Sequence, residues 1–213
     1  MSTTLIINTN CMAENAKLKS SGGVAYNLRE YLLKTFILPA AIKSKHIDEI
    51  LVAGVFEEGK GYSYVPVEQV HGNCADALLQ RQAAFNASAF WEGHDDWVIF
   101  QHDDHMLDFK SMVGMPTTAP VVSPQRWTRM RDPNGERLNG GEPGNLHAGA
   151  GHINGHCSIM RRYVGREIPW GDIEPCFTWD LEYSKRLREL GYNINFNSNV
   201  KCFDVEYGSE PWK

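Results

Sequence analysis

The stretch Trp97-Val-Ile-Phe-Gln-His-Asp-Asp-His105 indicates the fold, because an apolar run leads directly into four titratable side chains. Residues 97–100 are aromatic or β-branched, which is typical of a central strand that is covered on both faces. In open α/β sheets, ligands bind beyond the carboxyl ends of such strands. The sequence therefore predicts an α/β fold in which residues 102–105 face a ligand site.

Two carboxylates, Asp103 and Asp104, are adjacent in this stretch. In a partly dry site they repel each other unless a cation compensates their charge. Oxygen and imidazole ligands together suit Mn²⁺ or Mg²⁺, and Zn²⁺ is disfavoured because no cysteine is nearby. We therefore interpret the pair as part of a site for a divalent cation, with a solvated acidic loop as the alternative.

Composition indicates an ordinary globular protein, because 213 residues that are 42% hydrophobic can bury a sizeable core. A net charge of -5 argues against an overall basic surface for nucleic acid. The five cysteines are widely spaced and form no Cys-x-x-Cys pair, which favours reduced thiols and a cytoplasmic location. The sequence has neither a signal-peptide pattern nor an apolar run of membrane-spanning length, so we expect no membrane partner.

Predicted strands and helices alternate along the chain. Strands are predicted at residues 4–9, 48–56, 62–67, 97–100, 119–123 and 193–202, and helices at residues 24–42, 75–90 and 181–190. Pro39 is expected to bend or end the first helix, and Gly191 is expected to cap the last one. A strand, helix, strand order predicts a largely parallel sheet.

Residues 126–155 differ in composition from the rest of the chain. Glycine, asparagine, proline and arginine dominate this segment, which is too long for an ordinary connection. One interpretation is a functional loop that becomes ordered over a bound substrate. The other is a solvated loop with no role in binding.

The acidic group after the central strand and the later helix that begins Trp179-Asp-Leu-Glu182 resemble the inverting GT-A glycosyltransferases of the family 2 type. The order of elements covers nearly the whole chain. The resemblance implies a Rossmann-like, mixed and mostly parallel sheet flanked by helices in a single domain. It also implies a nucleotide-binding half at about residues 1–110 and an acceptor half at about residues 111–213.

The resemblance implies a metal-dependent transferase. The donor would be a nucleoside diphosphate sugar, expected to be a UDP-sugar, and transfer to an acceptor hydroxyl would invert the anomeric centre. Asp180 would be the general base that deprotonates the acceptor. The residues expected to contact the donor are Asn8, Asn10, Glu57 and Asp103.

The resemblance leaves two registers for the ligands of Mn²⁺ or Mg²⁺. If the motif is Asp103-Asp104-His105, then His105 is the metal ligand. If it is His102-Asp103-Asp104, then Asp104 takes that role. Asp204, after the last predicted strand, is a candidate for a further contact with metal or phosphate.

The chain departs from the family pattern in two places. Trp179 stands where the family has an acid before the catalytic base, and the first strand lacks the usual Pro-x-Tyr-Asn. Three histidines in or just after the glycine-rich segment, His147, His152 and His156, are either contacts for phosphate or acceptor or ordinary loop residues.

Three other functions compete with glycosyl transfer. A metal phosphohydrolase could use the His-Asp pairs at 94–96 and 102–104, although the strand character between them argues against it. A nucleotidyltransferase would want a glycine-rich phosphate loop after the first strand, and residues 8–11 are not one. A sugar-binding module without catalysis could stack its six tryptophans and eight tyrosines on sugar rings.

The acceptor is left open by the sequence. A glycan, a protein, a small molecule and a hydroxymethylated base in DNA are all candidates. The DNA hypothesis is prompted by a cluster of arginines around the glycine-rich segment. Its members are Arg126, Arg129, Arg131, Arg137, Arg161, Arg162 and Arg166.

Overall fold

The structure is a computed structural model that describes residues 1–11, 20–21, 24–68, 74–115, 118–131, 137–138, 151–153, 155–174 and 178–207. Of residues 20–28, 74–75, 114, 126–131, 137–138 and 204–207 it describes the backbone only.

Strands and helices alternate through most of this described part. In chain order they are β1 (Thr3–Thr9), β2 (Ser20–Ser21), β3 (Val24–Ala25), α1 (Tyr26–Leu32), a π-helical turn (Leu33–Ile37), α2 (Leu38–Ile42), β4 (Glu49–Gly54), β5 (Ser63–Pro66), α3 (Cys74–Ala87), β6 (Trp97–His102), β7 (His105–Leu107), a 3₁₀ helix (Phe109–Gly114), β8 (Val121–Arg131), β9 (Arg137–Leu138), β10 (Cys157–Arg161), α4 (Arg162–Glu167), a second 3₁₀ helix (Trp170–Asp172), α5 (Trp179–Glu189) and β11 (Ile194–Tyr207). No helix among these elements is both long and apolar enough to cross a membrane.

One mixed sheet organises the chain, in the strand order β5-β4-β1-β6-β10-β8-β11-β7, with β9 paired to β8. The pairs β5/β4, β4/β1, β1/β6 and β8/β11 are parallel. β10 is antiparallel to both β6 and β8, and β7 is antiparallel to β11. The predicted α/β class, with a mixed and mostly parallel sheet in a single domain, is confirmed.

Apolar side chains fill both faces of the sheet, because successive residues of a strand point to opposite sides. Leu5 and Ile7 of β1 belong to a core that also contains Leu33 of the π-helical turn. Ile6 lies on the other face, in a core with Phe85 of α3. All seven residues of β1 are buried, as expected for a central strand with helices on both sides.

The first predicted helix, residues 24–42, is interrupted rather than ended by proline. Pro39 lies in the first turn of α2, where its missing N–H costs no hydrogen bond. The wider π-helical turn precedes it, and the Leu38 N–H donates to the carbonyl oxygen of Leu33. The chain therefore changes its helical register just before the proline and continues as a helix to Ile42.

The start of the predicted glycine-rich loop is a strand, which corrects the sequence interpretation. Residues 126–131 extend β8, because they pair in parallel with residues 202–207 of β11. β11 itself runs beyond its predicted end at residue 202. Residues 132–136, 139–150 and 154, with His147, lie outside the described residues, so the predicted role of that loop stays a prediction.

Candidate functional site

The carboxyl ends of β1, β4 and β6 meet at one edge of the sheet. Asn8 is paired in register with His102, and Thr9 with Gly54. The short turn formed by Asp103 and Asp104 follows β6 at this edge. Most of the polar residues that the sequence predicts for a ligand site are therefore brought together, as expected for an open α/β sheet.

The two adjacent carboxylates share one guanidinium. Arg29 of α1 places Nη1 2.9 Å from Asp103 Oδ1 and Nη2 2.7 Å from Asp104 Oδ2. The Thr9 hydroxyl donates to the second oxygen of Asp103 at 2.7 Å. Charge compensation, for which the sequence predicts a divalent cation, is thus supplied here by a side chain that lies more than seventy residues away in the chain.

The two acids are electrostatically different. Burial raises the pKa of Asp103 above its ordinary value, against the opposing charge of Arg29. Burial acts on Asp104 in the same direction, but the charge of Arg29 and the interaction with His105 outweigh it and hold the pKa of Asp104 well below its ordinary value. Asp104 is therefore an ionised carboxylate at neutral pH and suits a metal ion as a ligand.

Three side chains around the turn, those of His102, Asp104 and His156, form a group that could hold a metal ion. Each offers one ligand atom, and these atoms lie within 4.8 Å of one another. His102 Nε2 is buried and has no hydrogen-bond partner in the described part of the chain. His156 is exposed, so the group is open to solvent on one side.

The protonation state of His102 agrees with a role as a ligand. Burial lowers its pKa well below the ordinary value, and the positive charge of Arg81 acts in the same direction. The imidazole is therefore neutral at pH 7 and keeps a lone pair for a cation. The backbone fixes the pair of histidines, because the His102 N–H donates to the carbonyl oxygen of His156 at 2.9 Å.

His105 contacts two members of this group. Its Nδ1 donates to Asp104 Oδ1 at 2.7 Å, and its ring stacks on that of His156 at a centroid distance of 4.5 Å. The grouping of His102 with Asp104 favours the second of the two registers over ligation by His105. The backbone of Asp204 pairs with His105, but the Asp204 side chain lies outside the described residues, so its role stays a prediction.

Asp180 lies in the first turn of α5, as predicted. A Cβ atom built on Gly155 would be 3.0 Å from Asp180 Oδ2, so the carboxylate packs directly against Gly155. Because Gly155 immediately precedes His156, the predicted base lies beside the segment that carries a prospective metal ligand. The other oxygen, Oδ1, accepts from the N–H of Leu181 at 3.0 Å.

Arg81 of α3 bonds to several parts of the site. It is fully buried, and its guanidinium donates to the Gly155 carbonyl oxygen at 2.6 Å and to Asn8 Oδ1 at 3.2 Å. The same group lies 4.7 Å from the ring centroid of Trp179. Burial lowers the pKa of Arg81 to about 9. A buried cation thus ties β1, the His156 segment and the start of α5 together.

The other three residues predicted to contact the donor, besides Asp103, also have partners within the protein. Asn8 is buried and its side-chain oxygen accepts from Arg81. Asn10 Oδ1 accepts from Gln80 Nε2 at 2.5 Å. Glu57 is exposed and forms an ion pair with Lys34 at 2.7 Å. Their roles toward a donor stay predictions.

Two residues of the site were missed by the sequence analysis, and a third was left ambiguous. Arg81 carried a usable signal, because it lies between Ala77 and Phe85 on the apolar face of a predicted helix. Arg29 carried none, since only the fold brings it to the acids. His156 is brought to the site by the antiparallel pairing of β10 with β6, which sets the residue before β10 beside the end of β6.

The two His-Asp pairs proposed for a phosphohydrolase lie at opposite ends of β6. Asp96 precedes the strand and accepts hydrogen bonds from the backbone and hydroxyl of Ser2. The strand has six residues, which at about 3.3 Å per residue separates the pairs by about 20 Å. They cannot share a metal centre, so the geometry opposes that alternative.

Three of the four tryptophans whose side chains the structure describes do not support a sugar-stacking surface. Trp97, Trp170 and Trp179 are buried in the core. Two of the arginines that prompted the DNA hypothesis, Arg161 and Arg162, are buried as well. The prediction that these two arginines belong to a surface patch for DNA is therefore wrong, because their side chains donate hydrogen bonds to protein groups instead. The side chains of Arg126, Arg129, Arg131 and Arg137 lie outside the described residues.

No protein-family model matches the chain, and no curated protein matches it either. Solved structures do. GalNAc-T7 with UDP, GalNAc and Mn²⁺ has a TM-score of 0.60 and 10% identity, covering 100% of this chain and 45% of that one. The mannosyltransferase PcManGT from Pyrobaculum calidifontis, in complex with GDP-Man and Mn²⁺, has a TM-score of 0.52 and 14% identity, covering 96% of this chain and 56% of that one.

A third similar structure is 4-diphosphocytidyl-2C-methyl-D-erythritolsynthase from Anaerococcus prevotii, with a TM-score of 0.52 and 10% identity over 92% of this chain and 86% of that one. The chain spans about half the length of the first two proteins. At these identities the likeness concerns the fold. The chain has the GT-A fold, which glycosyltransferases and nucleotidyltransferases share.

Proposed function

We propose that the protein transfers a sugar from a nucleoside diphosphate sugar to an acceptor hydroxyl, with inversion and with the help of Mn²⁺ or Mg²⁺. The observation that carries the proposal is the group formed by His102, Asp104 and His156, together with the packing of Asp180 against Gly155, the residue before His156. Two of the similar structures are glycosyltransferases that hold Mn²⁺ together with a nucleotide or nucleotide sugar.

The residues present fit a divalent cation. A neutral imidazole with a buried, unpartnered nitrogen, an ionised carboxylate and an exposed imidazole make a mixed N/O donor set that is open on one side. When bound there, Mn²⁺ or Mg²⁺ would neutralise the charge that develops on a departing nucleoside diphosphate. Asp103, beside this group, is one of the residues that we expect to contact the donor, with Asn8, Asn10 and Glu57.

Asp180 would act on the acceptor. One of its carboxylate oxygens accepts the proton of the acceptor hydroxyl as that oxygen attacks the anomeric carbon. The bond between the anomeric carbon and the phosphate oxygen breaks on the opposite face, and its electron pair leaves with the nucleoside diphosphate. A single displacement of this kind inverts the anomeric configuration. Packing of Asp180 against Gly155 sets the position of the base.

Nucleotidyl transfer is the second candidate, since one similar structure is a diphosphocytidyl-erythritol synthase. In that reaction a phosphate oxygen of the acceptor would attack the α-phosphorus of a nucleoside triphosphate, so that the nucleoside monophosphate unit is transferred and pyrophosphate is released. It has no need of a base beside the acceptor hydroxyl, so the placement of Asp180 favours glycosyl transfer. A hydroxyl-bearing glycan is the acceptor that we would test first, with a modified DNA base as the second.

Calorimetric titration of UDP and other nucleotides, with and without Mn²⁺, tests the donor site. We expect binding that requires Mn²⁺ and is lost in Asp104→Ala. Glu58→Ala, at an exposed position in the loop after β4, is the control and should bind like the wild type. No nucleotide binding by the wild type under any condition would refute the proposal.

Asp180→Asn tests the reaction step. We expect the variant to bind Mn²⁺ and nucleotide like the wild type, and to release nucleoside diphosphate from the donor about 10²- to 10⁴-fold more slowly, the usual contribution of a general base. An NMR spectrum of the first product distinguishes inversion from retention. Pyrophosphate release from a nucleoside triphosphate would instead support nucleotidyl transfer.

A further inference from the structure

Arg29 holds both acids of the candidate metal site. Its side chain is only 11% exposed, and its two terminal nitrogens contact one oxygen each of Asp103 and Asp104. Both distances are below 3 Å, as in a charge-assisted bridge with good geometry. The guanidinium therefore takes the position of a counter-cation to the pair.

Both oxygens of Asp104 already have a partner in this arrangement. Its Oδ2 lies 2.7 Å from Arg29, and its Oδ1 accepts from His105 Nδ1 at 2.7 Å. A divalent cation that uses Asp104 as a ligand must take one of these oxygens. The contact with Arg29 is the one that a cation opposes directly, because two positive charges repel each other when they share a carboxylate.

The element that carries Arg29 is anchored at its carboxyl end. Leu32 and Leu33, which follow Arg29, are buried in the core, and the π-helical turn begins at Leu33. π-helical segments are frequent at functional sites. Arg29 lies one turn before this anchor, so its flexible side chain can leave the acids while the backbone of the helix remains in place.

We propose that Arg29 is a latch: it closes over Asp103 and Asp104 in the metal-free protein, and it moves to the diphosphate of the donor when a metal ion takes Asp104. The proposal rests on the proposed function, because it requires a metal and a diphosphate at this site. A guanidinium fits phosphate oxygens with two parallel hydrogen bonds, as it fits the carboxylates here. The same residue thus opposes metal alone and favours metal that arrives with a donor.

Titration of Mn²⁺ alone, followed by EPR of the free ion, tests the closed latch. Arg29→Gln should bind Mn²⁺ about tenfold or more tightly than the wild type, because a site that is closed most of the time has its apparent affinity reduced in proportion. Arg29→Lys keeps the charge but cannot bridge both acids, and it should fall between the two. Lys110→Gln removes an exposed charge and should bind like the wild type.

Titration of UDP at saturating Mn²⁺ tests the move to phosphate. Here the order should reverse, with Arg29→Gln binding UDP about tenfold more weakly than the wild type. Uridine, which lacks phosphate, should bind both proteins equally. If Arg29→Gln does not fold, Arg29→Lys provides the same two comparisons with smaller changes.

The outcomes separate the latch from the proposed function. Wild-type protein that binds Mn²⁺ and UDP, with Mn²⁺ affinity unchanged or reduced in both Arg29 variants, would overturn the latch and leave the proposed function standing. Tighter Mn²⁺ binding without weaker UDP binding would overturn the move to the diphosphate. A wild-type protein that binds neither ligand would overturn the proposed function and the latch together.

Discussion

His102 is the residue whose surroundings are hardest to explain without a ligand. Its Nε2 is buried with no hydrogen-bond partner in the part of the chain that the structure describes. Such a group lowers the stability of the fold, because it loses water and gains no bond in return. A metal ion bound by this nitrogen would remove the cost. We therefore expect metal binding at His102 to stabilise the folded protein.

The same residue predicts how stability depends on pH. In the unfolded chain His102 takes up a proton as the pH falls through about 6.5, whereas burial and Arg81 keep it neutral in the folded protein. The unfolded state then binds more protons, so the free energy of unfolding falls as the pH drops below 6.5. Between pH 7.5 and 5.5, the wild type should lose about 1 kcal/mol more than His102→Gln.

Urea unfolding in the presence of EDTA at several pH values measures this difference. His46→Gln, at an exposed position, is the matched control and should follow the wild-type curve. Equal pH dependence in the wild type and His102→Gln would show that the folded protein protonates His102 as readily as the unfolded chain.

Arg81 is a cation whose removal should be costly. Its bonds to Asn8 and the Gly155 carbonyl oxygen would both be lost in Arg81→Met, leaving two buried acceptors without donors. We expect a loss of about 2–4 kcal/mol in the free energy of unfolding. Chemical denaturation of Arg188→Met provides the control, since Arg188 also bonds to a backbone oxygen, that of Gly151, but at an exposed position. A similar loss in both variants would contradict the importance of burial.

The end of β4 depends on a glycine. Gly54 has a φ of 127° and pairs with Thr9, and a Cβ atom added there would lie 1.8 Å from the Thr9 backbone oxygen. β1 and β4 must therefore separate at the edge of the site if this residue carries a side chain. Gly54→Ala should lower the free energy of unfolding by about 3 kcal/mol or more, through backbone strain and this clash.

Gly191, after α5, allows the effect of backbone strain to be measured without the effect of a clash. Its φ is 82°, but a Cβ atom added there would meet nothing within 4 Å. Gly191→Ala should cost only the strain of the left-handed backbone, about 1 kcal/mol. Urea denaturation of both variants measures the difference, and equal losses would show that the contact with Thr9 relaxes.

Elements with a local signal were predicted well. The expected strand at residues 4–9 is β1 (Thr3–Thr9), and the expected helix at residues 181–190 is α5 (Trp179–Glu189). The ends of β8 and β11 were not predicted, because residues 126–131 and 202–207 are strands through pairing with each other across a long sequence separation. Only the sheet topology contains that information.

The same division holds for the site. Asp103, Asp104 and Asp180 could be proposed from the sequence, since each lies directly at the end of a recognisable strand or at the start of a recognisable helix. Arg29 could not be assigned, and Arg81 could be recognised only as a charge on the apolar face of a helix, because both reach the site from other parts of the chain. The acids that suggest a metal site lie next to each other in the sequence, whereas the arginines that contact the site lie far from them in the chain.

At the scale of the whole molecule, the site lies between two strands that are neighbours in the sequence but not in the sheet. In strand order β10, β8 and β11 stand between β6 and β7, yet only Asp103 and Asp104 separate β6 from β7 in the chain. The buried Gln101 side chain bonds to the backbone of His105 and Leu107, at 2.7 and 3.2 Å. Because β10 pairs with β6 and β11 pairs with β7, strands of the second half of the chain flank the turn that carries the acids.

This arrangement predicts that the two halves do not fold separately. A fragment of residues 1–115 would contain β6 and β7 but lack β10, β8 and β11, so β6 would lose its antiparallel neighbour and β7 the strand with which it pairs. β6 would become an edge strand, with backbone N–H and C=O groups left unpaired along the side that β10 covers. The fragment should show no cooperative urea transition, while the full chain should unfold in one transition that far-UV and near-UV circular dichroism report together.

Mixing that fragment with residues 116–213 provides the positive control, because association would restore the missing strand pairs. We expect near-UV circular dichroism, which reports fixed tryptophan packing, to recover only in the mixture. Trp97 is suited to this measurement, since it is buried at the start of β6 and packs under the guanidinium of Arg161 from β10, 3.7 Å from its ring centroid. A fragment of residues 1–115 that unfolds cooperatively alone would show an independent nucleotide-binding domain, and the acids would then be positioned without the second half of the sheet.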